Sequence, residues 1–267
     1  MKKMAFYFIF LLCLSACGDE KAGKTEVAVA GASLAEDQLK AAVKSFPDSL
    51  PLKENLIQYY RENGNYDNAL NEVNLAIQKD SLNTRLWDMK AILHAEDEDT
   101  SSAIKSFEKA IYISPSPEDV ISLGTLYAET GNKKALELAD ALILADKAKA
   151  EKEALFIKGL YYAAINQKLK AITYFDECIA FNYTFMYAYR EKCLALYDLG
   201  KYNDALSVIN KALTLQNGYE EGYYYKGKCY EKLANIPAAI EAYQTALMYA
   251  PDYVEVKDAL AKLGVKS

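Results

Sequence analysis

The sequence predicts an all-α protein built from a repeated pair of helices, and three observations support this fold class. Alanines recur at a spacing of 34 residues or twice 34, and another small residue follows each of them seven positions later. A residue that ends helices comes five positions further on, as at Pro47, Pro115 and Pro251. A fixed period of this length is typical of stacked supersecondary units. The recurring alanines are Ala35, Ala69, Ala103, Ala171, Ala205 and Ala239.

Composition excludes several classes of function. The 267 residues are 52% hydrophobic and 25% charged, which is enough apolar material for a substantial core. A single histidine argues against His-dependent catalysis, and five cysteines without a CxxC pair give no zinc-finger or redox motif. The net charge of -6 argues against nucleic acid as the main partner. We therefore expect no enzymatic activity, no cofactor and no metal.

The first residues have the order of a secretion signal. Lys2 and Lys3 precede an apolar run over 5–14 that is too short to span a bilayer. The closing Leu14-Ser15-Ala16-Cys17 resembles a bacterial lipobox. That resemblance implies cleavage after residue 16, acyl chains on Cys17 and an outer-membrane lipoprotein, with 17–33 as the lipidated Cys and a flexible tether. The alternative is an ordinary signal peptide cleaved elsewhere, with an incidental cysteine.

Two further positions identify the repeat. Sixteen residues before the recurring alanine stands a bulky residue, such as Trp87 or Tyr189, and twelve before it stands Gly159, Cys193 or Gly227. This pattern resembles the tetratricopeptide repeat from about residue 35 onward. The resemblance implies a right-handed superhelical α-α solenoid of about six and a half helix-turn-helix repeats, whose first helices line a concave groove. The implied boundaries are a half repeat at 34–49, repeats at 50–83, 84–117, 118–151 (degenerate), 152–185, 186–219 and 220–253, and a capping helix at 254–263.

Local features sharpen this prediction. Ser33-Leu34-Ala35-Glu36 reads as a capping box at the start of the first helix. In 118–151 the second helix begins early, at Ala135, and runs to about Ala150, so we expect a change of pitch or a kink there. Gly159 and Gly227 lie inside helices, where close packing would offset their cost of about 1 kcal/mol relative to Ala. On the capping helix we expect three apolar side chains to pack inward: Ala259, Leu260 and Leu263.

The residues that could take part in catalysis or metal binding also have structural explanations. His94 ends a first helix, where a packed or half-buried histidine is expected. The acidic run at 96–99 lacks the spacing and glycine of a calcium loop and reads as a solvated turn. Cys178, Cys193 and Cys229 stand at packing positions, which predicts buried thiols. A Cys178–Cys193 bridge stays open as an alternative.

The tyrosines give the main indication of function. The chain has 22 of them, and many fill the repeat's own packing slots. Others fall on the first-helix face that lines the implied groove, and aromatic and Arg side chains are the usual anchors of interfaces. We expect a protein-binding scaffold or adaptor for envelope proteins or peptides, in outer-membrane, secretion or pilus assembly. An envelope receptor for a small ligand or glycan is the alternative, and the aromatics could also pack only on each other. The predicted groove residues are Phe156, Leu160, Tyr187, Arg190, Leu194, Tyr197, Tyr224, Tyr225 and Lys228.

Overall fold

The computed structural model describes residues 25–265, with side chains from residue 35 onward, and divides into two compact units after Leu126. The described residues form thirteen helices and no strand. Unit 1 contains α1 (Thr25–Ser45), α2 (Leu50–Glu62), α3 (Tyr66–Lys79), α4 (Thr84–Glu96), α5 (Thr100–Ile113) and most of α6 (Pro117–Glu129). Unit 2 holds the end of α6 together with α7 (Lys134–Ala164), α8 (Lys168–Phe181), α9 (Met186–Asp198), α10 (Tyr202–Leu215), α11 (Glu220–Lys232), α12 (Ile236–Tyr249) and α13 (Val254–Lys262).

Consecutive helices pack against each other from α1 to α5 in unit 1 and from α7 to α13 in unit 2, as an array of helix pairs requires. The all-α repeat fold is therefore confirmed. The terminal helix α13 buries Val256 and Leu260 against α12, with Ala259 and Leu263 packed at the edge. This confirms the predicted capping helix. Within residues 25–265, no helix combines the length and the apolar character needed to cross a membrane.

Small residues hold the helix pairs together. The phased alanines Ala69, Ala103, Ala171, Ala205 and Ala239 are all 0% exposed. At the glycine positions the packing is tighter still. A Cβ on Gly159 would lie 2.4 Å from the ring of Phe175, and one on Gly227 would lie 2.5 Å from the ring of Tyr243. The predicted close packing at both glycines is confirmed.

The turn inside each helix pair contains one left-handed residue, which recurs every 34 residues except in 118–151, where Gly131 stands one residue early. Gly64, Gly131 and Gly200 have φ values of 67°, 68° and 74°. Glu98, Asn166 and Ala234 hold the equivalent positions with φ values of 61°, 62° and 56°. A left-handed residue after a helix satisfies its last carbonyl groups and turns the chain back. The turn is thus set by helix-end geometry, and glycine is used in half of its copies.

The irregular third repeat continues directly into the fourth. The helix α7 runs for 31 residues and is broken only at Asp146, whose backbone is extended (φ −159°, ψ 89°). The Asp146 carboxylate accepts a hydrogen bond from the Lys149 N–H at 3.3 Å, as an N-cap residue does. The expected kink therefore lies at Asp146, and the second helix of this repeat ends there and not near Ala150.

The first described helix also differs from expectation. It begins at Thr25, whereas the flexible tether was predicted to continue to residue 33. Glu36 does not close a capping box. Its carboxylate lies 2.7 Å from Lys40 Nζ and accepts a hydrogen bond from the Tyr60 hydroxyl at 3.1 Å. The predicted signal at 1–16, Cys17 and the first part of the tether lie outside the described residues.

Candidate functional site

The nine predicted groove residues lie on three first helices of unit 2. The helix α9 contacts both α7 and α11, so these first helices are neighbours. Tyr187 is 41% exposed, whereas Phe156, Leu160 and Arg190 are only 5%, 8% and 8% exposed. These three therefore support the surface more than they form it. The partly exposed members are Leu194, Tyr197, Tyr224, Tyr225 and Lys228.

An aromatic chain connects α7 to α9. The Phe156 ring lies 5.9 Å from Phe175 and 5.1 Å from Phe185, and Phe185 lies 5.7 Å from Tyr187. The Arg190 guanidinium lies 5.1 Å from the centre of the Tyr187 ring. Aromatic pairs at these distances and angles stabilise each other beyond the area that they bury. Buried Phe156 thus holds the exposed Tyr187 in place through Phe185.

Next to Tyr187 lies an acidic cluster, which consists of Glu129, Arg190, Glu191 and Glu221. Arg190 Nε lies 2.9 Å from Glu191 Oε1, and Arg190 Nη1 lies 3.3 Å from Glu221 Oε2. The Tyr219 hydroxyl donates a hydrogen bond to Glu221 Oε2 at 3.1 Å. One guanidinium thus pairs with two carboxylates, and Glu129 lies within reach of its charge, which leaves an excess of negative charge.

The pKa values of Glu129 and Arg190 reflect the excess of negative charge in the acidic cluster. Burial and the charge of Glu191 raise the pKa of Glu129 to about 7, although Arg190 lowers it in part. Burial alone would lower the pKa of Arg190, but Glu191 and Glu221 raise it above its ordinary value. The arginine therefore stays charged, and Glu129 takes up a proton near neutral pH.

A tyrosine cluster lies beside the acidic one and consists of Tyr197, Tyr224, Tyr225, Tyr253 and Lys228. Lys228 Nζ lies 5.5 Å from the centre of the Tyr197 ring and 5.4 Å from that of Tyr224. The Tyr224 ring also lies 5.2 Å from Tyr225 and 5.4 Å from Tyr253. Burial raises the pKa of Tyr197 to about 12, so its hydroxyl is a neutral donor at physiological pH. The cluster combines apolar rings with polar tips.

Several members of these clusters were missed by reasoning from the sequence. Glu221 follows Tyr187 by 34 residues, so its phase could have placed it on the same face. Glu129 belongs to the degenerate repeat 118–151, which is out of register with the 34-residue period. Its position in the sequence therefore does not show which face of the helix it occupies. The other missed members are Glu191 and Tyr253, and Tyr219, which donates a hydrogen bond to Glu221, was missed as well.

The first helices of unit 1 carry charges that neutralise one another. Arg61 makes two contacts with Glu96, at 2.7 Å and 2.5 Å, and Arg85 Nε lies 2.7 Å from Glu54 Oε1. Burial and then the neighbouring Asp119 raise the pKa of Asp88 to about 7. This face is therefore polar, and Arg61 and Arg85 are each paired with a carboxylate.

The Asp88→Asn variant should stabilise unit 1 at alkaline pH. Because the folded pKa of Asp88 lies above its ordinary value of 3.8, the folded state binds more protons between pH 4 and 7. The free energy of unfolding therefore falls as the pH rises through this window. Urea titrations should show a gain of about 1–3 kcal/mol at pH 8 and little change at pH 4. Exposed Asp97→Asn is the control. A constant difference between wild type and Asp88→Asn across this range would contradict the assignment.

The other candidate residues have structural roles in the described chain. The His94 side chain is half-buried, burial lowers its pKa, and its Nδ1 lies 3.7 Å from Asp99 Oδ2. Asp99 caps α5 by accepting a hydrogen bond from the Ser102 N–H. Among the side chains described, from residue 35 to 265, no group of three His, Cys, Asp or Glu is placed so that it could hold a metal ion. The packed histidine and the structural turn agree with expectation.

Comparisons with known proteins agree with this architecture. Residues 21–84, 84–117 and 196–263 match families described as tetratricopeptide repeat, and together these segments cover more than half of the chain. The chain belongs to the tetratricopeptide-repeat family.

Two solved structures resemble this chain in fold, and one further protein resembles it in sequence. A tetratricopeptide repeat protein from Parabacteroides merdae superposes with a TM-score of 0.73 at 20% identity, covering 88% of this chain and 93% of that one. PilW, described as a type IV pilus biogenesis factor, gives 0.60 at 22%, covering 79% and 97%. The Hsp70-Hsp90 organizing protein of Triticum aestivum is 23% identical over 249 residues, or 86% of this chain. This chain spans only 42% of that relative's length.

Proposed function

We propose that unit 2 is a scaffold that binds an extended or helical segment of another protein across α9 and α11. The contact surface consists of Tyr187, the tyrosine cluster and the acidic cluster. The observation that carries the proposal is the position of an exposed aromatic side chain directly beside excess negative charge. The partner segment has apolar or aromatic residues around at least one Lys or Arg.

The aromatic part supplies binding energy. Tyr187 is 41% exposed although it is held by Phe185 and Arg190. A tyrosine fixed in this way loses little side-chain entropy when a partner covers it, and tyrosine is enriched among the residues that dominate interfaces. The partly exposed rings of Tyr197 and Tyr224 extend the same kind of surface around Lys228.

The charged part selects the partner. In the acidic cluster, Arg190 pairs with Glu191 and Glu221 while Glu129 lies nearby, so three carboxyl groups stand against one guanidinium. A Lys or Arg from the partner would supply the missing positive charge at low local dielectric, where a charge pair is stronger than in water. An acidic segment would be repelled. A C-terminal carboxylate is for the same reason a poor ligand for this surface.

Binding of designed peptides tests this function. Labelled peptides would carry two aromatic residues around Arg, Gln or Glu, with fluorescence anisotropy as the readout. The Arg peptide should bind at least tenfold more tightly than the Glu peptide, and a Glu191→Gln/Glu221→Gln variant should remove this preference. The triple variant Tyr187→Ala/Tyr197→Ala/Tyr224→Ala should lose binding of all peptides while keeping its helical circular dichroism. Leu169→Ala, an exposed position on the second helix α8, is the control. Equal binding of Arg and Glu peptides, or binding of glycans alone, would refute the proposal.

We further propose that the scaffold is an outer-membrane lipoprotein anchored through Cys17. The support is the lipobox-like Leu14-Ser15-Ala16-Cys17 behind a basic and apolar leader. Several acyl chains hold a protein to a membrane stably, where a single chain does so only marginally. In the source bacterium, Cys17→Ser should move the protein from the membrane fraction to the soluble fraction. Retention of the variant in the membrane fraction would overturn this anchor.

A further inference from the structure

Two buried thiols meet between neighbouring first helices of unit 2. Cys193 on α9 is 1% exposed, Cys229 on α11 is 0% exposed, and both belong to one apolar core. They stand on helices that are in contact, and the two thiols lie close enough to interact, which raises the pKa of Cys193 and lowers that of Cys229. Cys178 is elsewhere and has its Sγ 3.5 Å from the carbonyl oxygen of Lys152. The thiol that neighbours Cys193 is therefore that of Cys229 and not that of Cys178, and all three cysteines are free.

The repeat geometry explains the meeting. Cys193 occupies the small-residue phase that Gly159 and Gly227 hold in other repeats, and it is buried there. Cys229 lies two residues after Gly227, which turns it by about 200° around α11. Since α9 and α11 are in contact, this rotation brings the second thiol back toward the preceding repeat.

We propose that Cys193 and Cys229 form a reversible disulfide that fastens α9 to α11. The oxidant is a small-molecule disulfide. The Cys229 thiolate attacks one of its sulfurs, a mixed disulfide forms, and the first small thiolate leaves. The Cys193 thiolate then attacks Cys229 Sγ and expels the second small thiolate. The two protons lost by the cysteines go to the two small thiols, so the protein pair is oxidised and the reagent is reduced.

The bond would act directly beneath the proposed binding surface. Lys228 precedes Cys229 in the chain and lies over the rings of Tyr197 and Tyr224. Cys229 is also close enough to Tyr197 to affect its titration. A disulfide here would fix the spacing of the two helices that carry the tyrosine cluster. A cross-link also stabilises the folded state by restricting the unfolded chain.

Peptide mapping tests the proposal on the full chain. The protein would be incubated with bis(2-hydroxyethyl) disulfide, in buffer and in low urea that admits the reagent to the core, then alkylated and digested without reductant. We expect a Cys193–Cys229 linked peptide, a rise in melting temperature of several degrees, and loss of both with dithiothreitol. Cys178→Ala should keep the link, whereas Cys193→Ala and Cys229→Ala should each abolish it. Alkylation of both cysteines in both conditions, or a link that involves Cys178, would overturn the proposal.

Discussion

Replacement of Gly227 by valine is expected to destabilise unit 2 by about 3 kcal/mol. The added Cβ would lie 2.5, 2.7 and 2.8 Å from three atoms of the Tyr243 ring. The ring cannot swing away, because Tyr243 is 0% exposed and its hydroxyl donates a hydrogen bond to Glu231. Either α11 must move away from α12 or the ring must leave its rotamer. Urea unfolding followed by circular dichroism measures the loss.

A double-mutant cycle assigns this loss to the contact. Gly227→Val combined with Tyr243→Leu should cost less than the two single changes together, with a coupling of about 1–3 kcal/mol. Gly218→Ala is the matched control, because its added Cβ would lie 3.5 Å from the nearest atom of Tyr249, an ordinary contact. Additive effects in the cycle, or an equal loss at Gly218, would show that the glycine is not needed for packing.

Replacement of Arg190 by methionine should cost unit 2 about 3–5 kcal/mol at pH 8. The side chain is 8% exposed and holds both Glu191 and Glu221, so its removal leaves three carboxyl groups without a cation. The loss should shrink as the pH falls from 8 to 5. Burial and the charge of Glu191 hold the pKa of Glu129 at about 7 although Arg190 lowers it, so removal of Arg190 raises this pKa further and protonation of Glu129 relieves the repulsion first in the folded variant.

The charge and not the shape of Arg190 should account for the effect. Adding Glu221→Gln to Arg190→Met should restore part of the lost free energy of unfolding. Lys79→Met provides the comparison, because Lys79 pairs with the Asp48 carboxylate at 3.2 Å and the two side chains are 55% and 92% exposed. Such a surface pair contributes about 0–1 kcal/mol. A loss at Arg190 that is independent of pH and unaffected by Glu221→Gln would point to packing instead.

Much of the fold follows from periodicity, since the repeat imposes the same packing problem in each copy. A small residue opposite a large one recurs at Gly159 with Phe175 and at Gly227 with Tyr243, and this can be read directly from the 34-residue phase. The break at Asp146 could not be placed in this way. It lies among Ala, Lys and Glu residues that favour helix, without a Gly or Pro to mark it. Its position depends on tertiary packing.

The sequence predicted the aromatic part of the candidate site together with Lys228 and Arg190, but not the carboxyl groups around Arg190. Tyr187, Tyr197 and Tyr224 occupy first-helix phases that the repeat pattern identifies as a shared face. The acidic cluster depends on contacts that cannot be predicted from a residue's position within the 34-residue repeat. Arg190 and Glu191 are adjacent in sequence, and adjacent helical residues do not normally face each other. Glu129 reaches them from a repeat that is out of register.

Site-specific photocrosslinking in the source cells tests the central claim most directly. A benzoylphenylalanine at position 187 would report from the proposed surface, and one at position 169 would report from the exposed outer side of α8. We predict a discrete crosslinked protein from position 187 and none from position 169, with a Lys or Arg in the captured segment. The yield should fall in the Glu191→Gln/Glu221→Gln background. Crosslinking from position 169 alone, or a yield from position 187 that is indifferent to the two glutamates, would contradict a partner bound across α9 and α11.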